Sequence, residues 1–218
     1  MALNKLKFNS INVTPAASEA LKFNSSANGF ETGSAGGAMT FIKKLTASSS
    51  STLSFVDGSS DVVLDNTYKE YVFHFNNIHP QTDDATLQFN LSSDTGSNYN
   101  VTKQTIVFGA SHGENGSSGN LSYDTGLDLV QSTNFQGLNL GSHDNDHAIS
   151  GTLNLFNPSS TTFAKQFMAV SSTTNYDNLN LVKYVAGYGN TTSAIDAIQF
   201  KMSSGNIDAG TITLYGIN

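Results

Sequence analysis

Cysteine is absent from this chain of 218 residues, and so is arginine: all ten basic residues are lysines. The first absence excludes disulfides, thiolate metal sites and cysteine nucleophiles. The second removes the planar guanidinium fork that reads phosphate or guanine bidentately. Charge is scarce altogether, at 12% of residues, and its balance is negative, formally −7 at pH 7. A basic stripe for nucleic acid or for an anionic membrane surface is missing, so neither is expected as a partner. No stretch approaches the ~20 apolar residues of a membrane span, and no membrane insertion is expected. The opening string Met-Ala-Leu-Asn-Lys-Leu-Lys-Phe-Asn has charge but no apolar h-region behind it, so it does not read as a signal peptide. Glutamate is limited to Glu19, Glu31, Glu70 and Glu114, and no Gly-x-Ser-x-Gly elbow is present. Sustained helical periodicity with caps is missing as well.

What takes the place of charge is Ser, Thr, Asn and Gly, giving a surface polar by hydroxyl and amide. Apolar residues recur with the period of two that marks half-buried strands. Glu70–Ile78 is the strongest, with Tyr71, Phe73 and Phe75 on one face and Val72, His74 and Asn76 on the other. His79-Pro80 is expected to stop it, because proline cannot donate to a ladder. Strands are also expected at Phe41–Leu45, Thr86–Leu91, Val101–Ala110, Ile149–Leu155, Phe163–Val170, Leu179–Ala186 and Ala194–Met202. A Gly/Ser/Asn-rich loop is expected from Gly113 to Asn120, and a turn at Asp94–Asn98. The chain should close on a tight turn feeding a final strand, with Gly205-Asn206 and Ala209-Gly210 at positive φ and Ile212 and Leu214 facing inward. The expected fold is all-β: an antiparallel β-sandwich, jelly-roll-like, over residues 39–218.

Residues 1–38 differ. They contain Leu-Lys-Phe-Asn-Ser twice, at Leu6 and at Leu21, and end in the run Gly33-Ser-Ala-Gly-Gly-Ala38. Two short β-like segments cannot bury a core of their own. Leu6, Phe8, Ile11, Val13, Leu21 and Phe23 are too apolar for a solvated tail. The segment is expected to be an extended attachment or oligomerisation element docking on the main domain, on neighbouring subunits or on a larger particle; a partly disordered tail is the alternative.

Several strings, in this order, resemble one family. They are Glu70–Pro80 followed by Thr82–Phe89, then Gly151-Thr-Leu-Asn-Leu-Phe-Asn-Pro158, then Gln199–Gly210 running into Gly-Thr-Ile-Thr-Leu-Tyr-Gly-Ile217. Together they span about residues 39–217 and are similar to a β-sandwich domain of bacteriophage tail-fibre and virion appendage proteins, marine phages especially. The resemblance implies a non-enzymatic structural protein of the virion, made in the host cytoplasm. It further implies a trimeric homo-oligomer, and the apolar residues 1–38 are where such a chain is expected to bind other virion proteins. Such a protein would contact host-surface glycans weakly and in many copies. The family brings no catalytic motif and no cofactor. A capsid decoration or head-fibre protein is the alternative, and a polysaccharide-degrading enzyme is a second.

Candidate sites are few. His143-Asp144-Asn145-Asp146-His147 is the densest set of potential ligands. Asp144 and Asp146 have the oxygens for Ca²⁺ and the histidines have nitrogens for a transition metal, while Asp and Asn are also ordinary turn residues. Asp83-Asp84 reads as a turn, since adjacent residues on an extended chain point apart and a glycoside hydrolase needs two carboxylates flanking a sugar. His74 reads as a strand-face residue and His112 as part of a glycine-rich loop. Tyr99, Tyr123, Tyr176 and Tyr188 each sit among Gly, Asn and Ser. They either stack on sugar rings, with amides and hydroxyls alongside, or bury their rings at sheet edges and subunit contacts. Seven Asn-x-Ser/Thr sequons, Asn90 among them, follow from the abundance of Asn, Ser and Thr.

Overall fold

Alternation of apolar and polar residues builds strands throughout the computed structural model, which describes residues 13, 20–33, 38–116, 119–142, 144–175 and 177–217; among these there is no helix. The chain divides into two units, Met1–Ala38 and Met39–Asn218. In the first, β1 (Ala20–Phe23) and β2 (Phe30–Gly33) form an antiparallel hairpin in which Phe23 opposes Phe30. The two rings stack with centroids 4.9 Å apart. Leu6, Phe8 and Ile11 lie outside the described residues.

The second unit holds twelve strands: β3 (Met39–Thr46), β4 (Leu53–Val56), β5 (Glu70–Pro80), β6 (Thr86–Ser92), β7 (Lys103–Gly113), β8 (Gly119–Tyr123), β9 (Gln136–Leu140), β10 (Ile149–Phe156), β11 (Lys165–Thr174), β12 (Leu179–Gly189), β13 (Ala197–Met202) and β14 (Ile207–Ile217). They form an eight-stranded sheet, β3-β14-β5-β10-β11-β12-β7-β8, and a four-stranded one, β4-β13-β6-β9. Four nested antiparallel pairs organise both: β3 with β14, β4 with β13, β5 with β10, and β6 with β9. First strand with last, second with second-last, is a single long ribbon folded over itself, which is the jelly roll. The remaining strands are two insertions: β7 and β8 between the fourth pair's members, β11 and β12 after β10. They extend only the large sheet.

Facing side chains of the two sheets interlock through aromatic rings. Phe200 on β13 lies 5.5 Å from Phe73 and 5.3 Å from Phe75 of β5, centroid to centroid, and Phe89 on β6 lies 5.1 Å from Phe167 on β11. All five rings are buried. Tyr71, Phe73 and Phe75 share the inward face as their spacing requires, and Ile212 and Leu214 of the last strand are fully buried.

Several expectations need correction. Strand β5 runs through His79 to Pro80, because Pro80 sits at its very end opposite Ile207 and has a carbonyl, not an N–H, to offer. The last strand starts at Ile207, so Gly210 (φ +107°) is not in a turn but in a bulge inside β14, where a Cβ would come 2.3 Å from the Asn77 carbonyl oxygen. The Gly113–Asn120 loop is shorter than expected, since β7 continues to Gly113 and β8 begins at Gly119; His112 is therefore a strand residue. Asn90 is fully buried, which removes its sequon from the surface.

Candidate functional site

Three places on the sandwich carry chemistry. The broadest is the face of the large sheet turned away from the small one. Direct register places Tyr123, Phe108, Tyr184 and Val170 in one row, with Ile106, Ala186 and Met168 in the next and Leu121 beside Ala110. Phe108 and Tyr184 stack 5.0 Å apart with rings nearly parallel at 7°. These side chains face water: Leu121 is 75% exposed, Met168 57%, Tyr123 54%, Ile106 51%, Tyr184 45% and Phe108 41%. The outward positions of β7, β8, β10, β11 and β12 hold no Lys, Asp or Glu. One end of the face is amide-rich. Asn190 Nδ2 donates to Gln131 Oε1 at 2.6 Å, and Gln131 Nε2 reaches Gln104 Oε1 at 3.3 Å and the Tyr188 hydroxyl at 3.4 Å.

A cleft of about 460 Å³ opens on the outer side of the small sheet. Its floor is Gln88 of β6 flanked by Lys201 of β13 and Gly137 of β9, which stand opposite it in the ladders. Its wall is the segment between β8 and β9, with Thr133, Asn134 and Phe135 lining it. Buried polar groups hold that wall. Gln136 Nε2 donates to the Leu127 and Gly137 carbonyls at 3.1 and 2.7 Å. Asn90 Nδ2 donates to the Thr133 carbonyl at 2.9 Å and to the Tyr99 carbonyl at 2.6 Å. Asn90 Oδ1 in turn accepts from the Lys103 ammonium at 2.5 Å. Lys103 is fully buried, and burial pulls its pKa down to about 7. Ser132 and Lys103 exchange both backbone hydrogen bonds, which ties the same segment to β7.

A second cleft, about 370 Å³, is lined by Asn77, His79, Asp146, His147 and Asp208. His79 Nδ1 lies 3.8 Å from Asp208 Oδ2, and its Nε2 is 3.1 Å from the Asp144 carbonyl oxygen. His147 Nδ1 lies 3.7 Å from Asp144 Oδ2 and its Nε2 3.9 Å from Asp146 Oδ1. Asp144 and Asp146 thus flank opposite nitrogens of one imidazole and do not converge on a point. Among the described residues no group of three or more His, Asp or Glu is placed to hold a metal; His143 lies outside them. Backbone turns also account for part of this loop, with His147 N–H donating to the Asp144 carbonyl at 2.9 Å.

The tyrosines singled out from sequence do not form one platform. Tyr99 is half-buried, and its hydroxyl covers Gly96 (φ +74°), where a Cβ would stand 2.8 Å from it. Tyr123 and Tyr188 share the outer face but oppose Phe108 and Gln104, four residues apart on β7, or roughly 14 Å at strand rise. The Tyr123 hydroxyl is bonded to Asp128, which raises its pKa. Tyr176 lies outside the described residues. Phe108, Tyr184, Phe135 and Lys201 escaped the sequence reading. Phe135 carried the same signal as the tyrosines, an aromatic in a Ser/Thr/Asn loop. Only register brings the others together.

Comparison with protein-family models, with curated proteins and with solved structures finds no match. The class defined by the fold is a jelly-roll β-sandwich with one enlarged sheet.

Proposed function

We propose that the chain is a structural subunit of a bacteriophage virion, a tail-fibre or appendage component. In this reading residues 1–38, including Val13, Leu21 and Phe23, dock it to other virion proteins, copies associate with one another, and the sandwich meets glycans on the host surface. The observation that supports it most is the outer face of the large sheet. Six side chains there, each 41–75% exposed, leave on the order of 600 Å² of apolar surface per copy. That is the upper end of what isolated soluble monomers expose in one patch, where patches are often functional. Two copies meeting there would bury roughly 1,200 Å², the lower end of stable interfaces. Copies of a chain with net charge −7 repel one another, and an uncharged face is where they can approach. Aromatic and Met enrichment with charge depletion is also the composition of interface cores.

The oligomeric mass of the purified chain by light scattering tests the association. Wild type is expected as a multimer and the Ile106→Ser/Phe108→Ser double variant as a folded monomer; a monomeric wild type would refute it. Counting copies in purified particles separates the appendage reading, with a few tens of copies, from a capsid decoration or head fibre, with copies matching capsid symmetry. The polysaccharide-degrading alternative needs two carboxylates on one cleft, and Asp146 and Asp208 share a wall of the second cleft. Asp146 is 89% exposed and Asp208 48%, unlike the apolar pocket that holds a general-acid carboxyl. Loss of host polysaccharide on treatment with pure protein, abolished by Asp146→Asn, would favour the enzyme.

A further inference from the structure

We infer that the cleft over Gln88 and Lys201 is a subsite for an acidic sugar, a saccharide unit bearing a carboxylate of the uronic- or sialic-acid type. The inference rests on the proposed glycan-binding role and names the chemistry of the ligand. Sign of charge is the first argument. Lys201 is the sole ionisable residue lining this cleft, whereas two other clefts, of about 370 Å³ each, carry Asp146 with Asp208 and Glu114 with Asp177. In a chain of net charge −7, it is the one of these three clefts where an anion is least opposed. Neighbouring carboxylates are engaged elsewhere. Asp124 pairs with Lys183, and Asp128 accepts from the Val107 N–H at 2.9 Å and from the Tyr123 hydroxyl. Among the described residues no carboxylate pairs with Lys201.

Placement of the cation is the second argument. The Lys201 ammonium stands 4.4 Å from the centroid of the half-buried Phe135 ring. Contact with the ring limits the rotamer freedom that ordinarily weakens a surface lysine as an anion site. It also holds the cation at a fixed place over the ring, where a carboxylate can meet it. Gln88, Thr133 and Asn134 line the same space and supply both donors and acceptors for hydroxyls. The volume falls within the ~300–1,000 Å³ of small-ligand sites. The frame is rigid: the floor is β-ladder, and the wall is fixed from below by Asn90, Lys103 and Gln136. The repulsion of the anionic chain for an acidic polymer is screened beyond about 8 Å at physiological salt, so the local cation decides. One such contact is weak, and multivalent display raises it.

The test uses the full-length chain and three probes, oligomers of galacturonate, hyaluronan oligosaccharides and sialyl oligosaccharides, with a neutral dextran oligosaccharide alongside. Binding is followed by calorimetry and amide chemical shifts. At least one acidic probe should bind and shift the amides of Gln88, Asn134 and Lys201, while dextran binds more than tenfold more weakly. Lys201→Gln should weaken the acidic probe roughly tenfold, the scale of one charge-assisted hydrogen bond, and Lys201→Arg should restore it. Phe135→Ala should weaken it as well, and unchanged thermal melting checks that each variant is folded. Binding of no acidic probe, equal binding of dextran, or acidic binding untouched by Lys201→Gln each overturns the assignment. Host-cell adsorption of wild type and Lys201→Gln, measured in parallel, separates the two levels. Adsorption equal in both sinks this cleft but leaves the glycan-binding role, whereas no adsorption by wild type sinks that role itself.

Discussion

Replacing Lys103 by methionine and following stability against pH reads out the buried polar frame under the cleft wall. The lysine is fully buried, and its ammonium donates to Asn90 Oδ1 at 2.5 Å and to the Val101 carbonyl at 2.8 Å. Among the described residues no carboxylate pairs with it. Burial opposes the charged form and lowers its pKa from 10.5 to about 7. Below pH 7 both folded and unfolded states carry the proton, and folding bears the full cost of burying it. Between pH 7 and 10.5 the unfolded chain still holds a proton that the folded chain has released, so stability rises with pH at up to ~1.4 kcal/mol per unit. From pH 7 to pH 9 the gain from this one group is about 2 kcal/mol. Lys165, also buried, is shifted in the same direction and for the same reason, but wild type and variant share it, so it cancels in their difference. Lys103→Met removes the pH-dependent part and leaves Asn90 Oδ1 and the Val101 carbonyl without their donor, a pH-independent loss of ~1–3 kcal/mol. Urea unfolding of both proteins at pH 7, 8 and 9 is the assay. Wild type should gain about 2 kcal/mol more than the variant across that interval. Parallel pH profiles would show that the lysine stays charged in the fold and would refute the reasoning.

Phe200→Ala removes the ring at the centre of the inter-sheet aromatic cluster and should cost about 3–5 kcal/mol, a fall in melting temperature of roughly 10 °C by calorimetry. A loss under ~1 kcal/mol would mean the two sheets are held mainly elsewhere. Gly210→Ala sets a Cβ 2.3 Å from the Asn77 carbonyl oxygen at a φ of +107°. It should destabilise by more than ~1–3 kcal/mol and raise amide exchange where β14 meets the end of β5, while unchanged exchange there would place the bulge's strain elsewhere.

The long strands were legible because their cores alternate strictly: Tyr71, Phe73 and Phe75, or Leu87, Phe89 and Leu91. The strands that escaped are short and diluted by small polar residues. Leu53-Ser-Phe-Val, Gly-Asn-Leu-Ser-Tyr123 and Gln-Gly-Leu-Asn-Leu140 read locally like the loops around them, and tertiary pairing decides them. Proline and glycine misled for opposite reasons. Pro80 can end a strand from inside it, and Gly210 supplies its positive φ to a bulge as readily as to a turn. The outer face was not legible at all. Phe108 and Tyr184 lie 76 positions apart, and only the register of β7 on β12 makes them neighbours. The cleft has the same origin, with Gln88, Phe135 and Lys201 drawn from three distant parts of the chain. The His143–His147 run offered both a turn and a ligand set in sequence, and backbone geometry turns Asp144 and Asp146 to different nitrogens of His147.

The most direct test of the proposed role is cryo-electron microscopy of the intact particle carrying this chain. The account predicts appendage density that fits the two-sheet sandwich, with Ile106, Phe108, Tyr184 and Met168 covered by a second copy and the Lys201 cleft open to solvent. Absence of the chain from the particle, or a sandwich whose large outer sheet faces solvent in every copy, would contradict it.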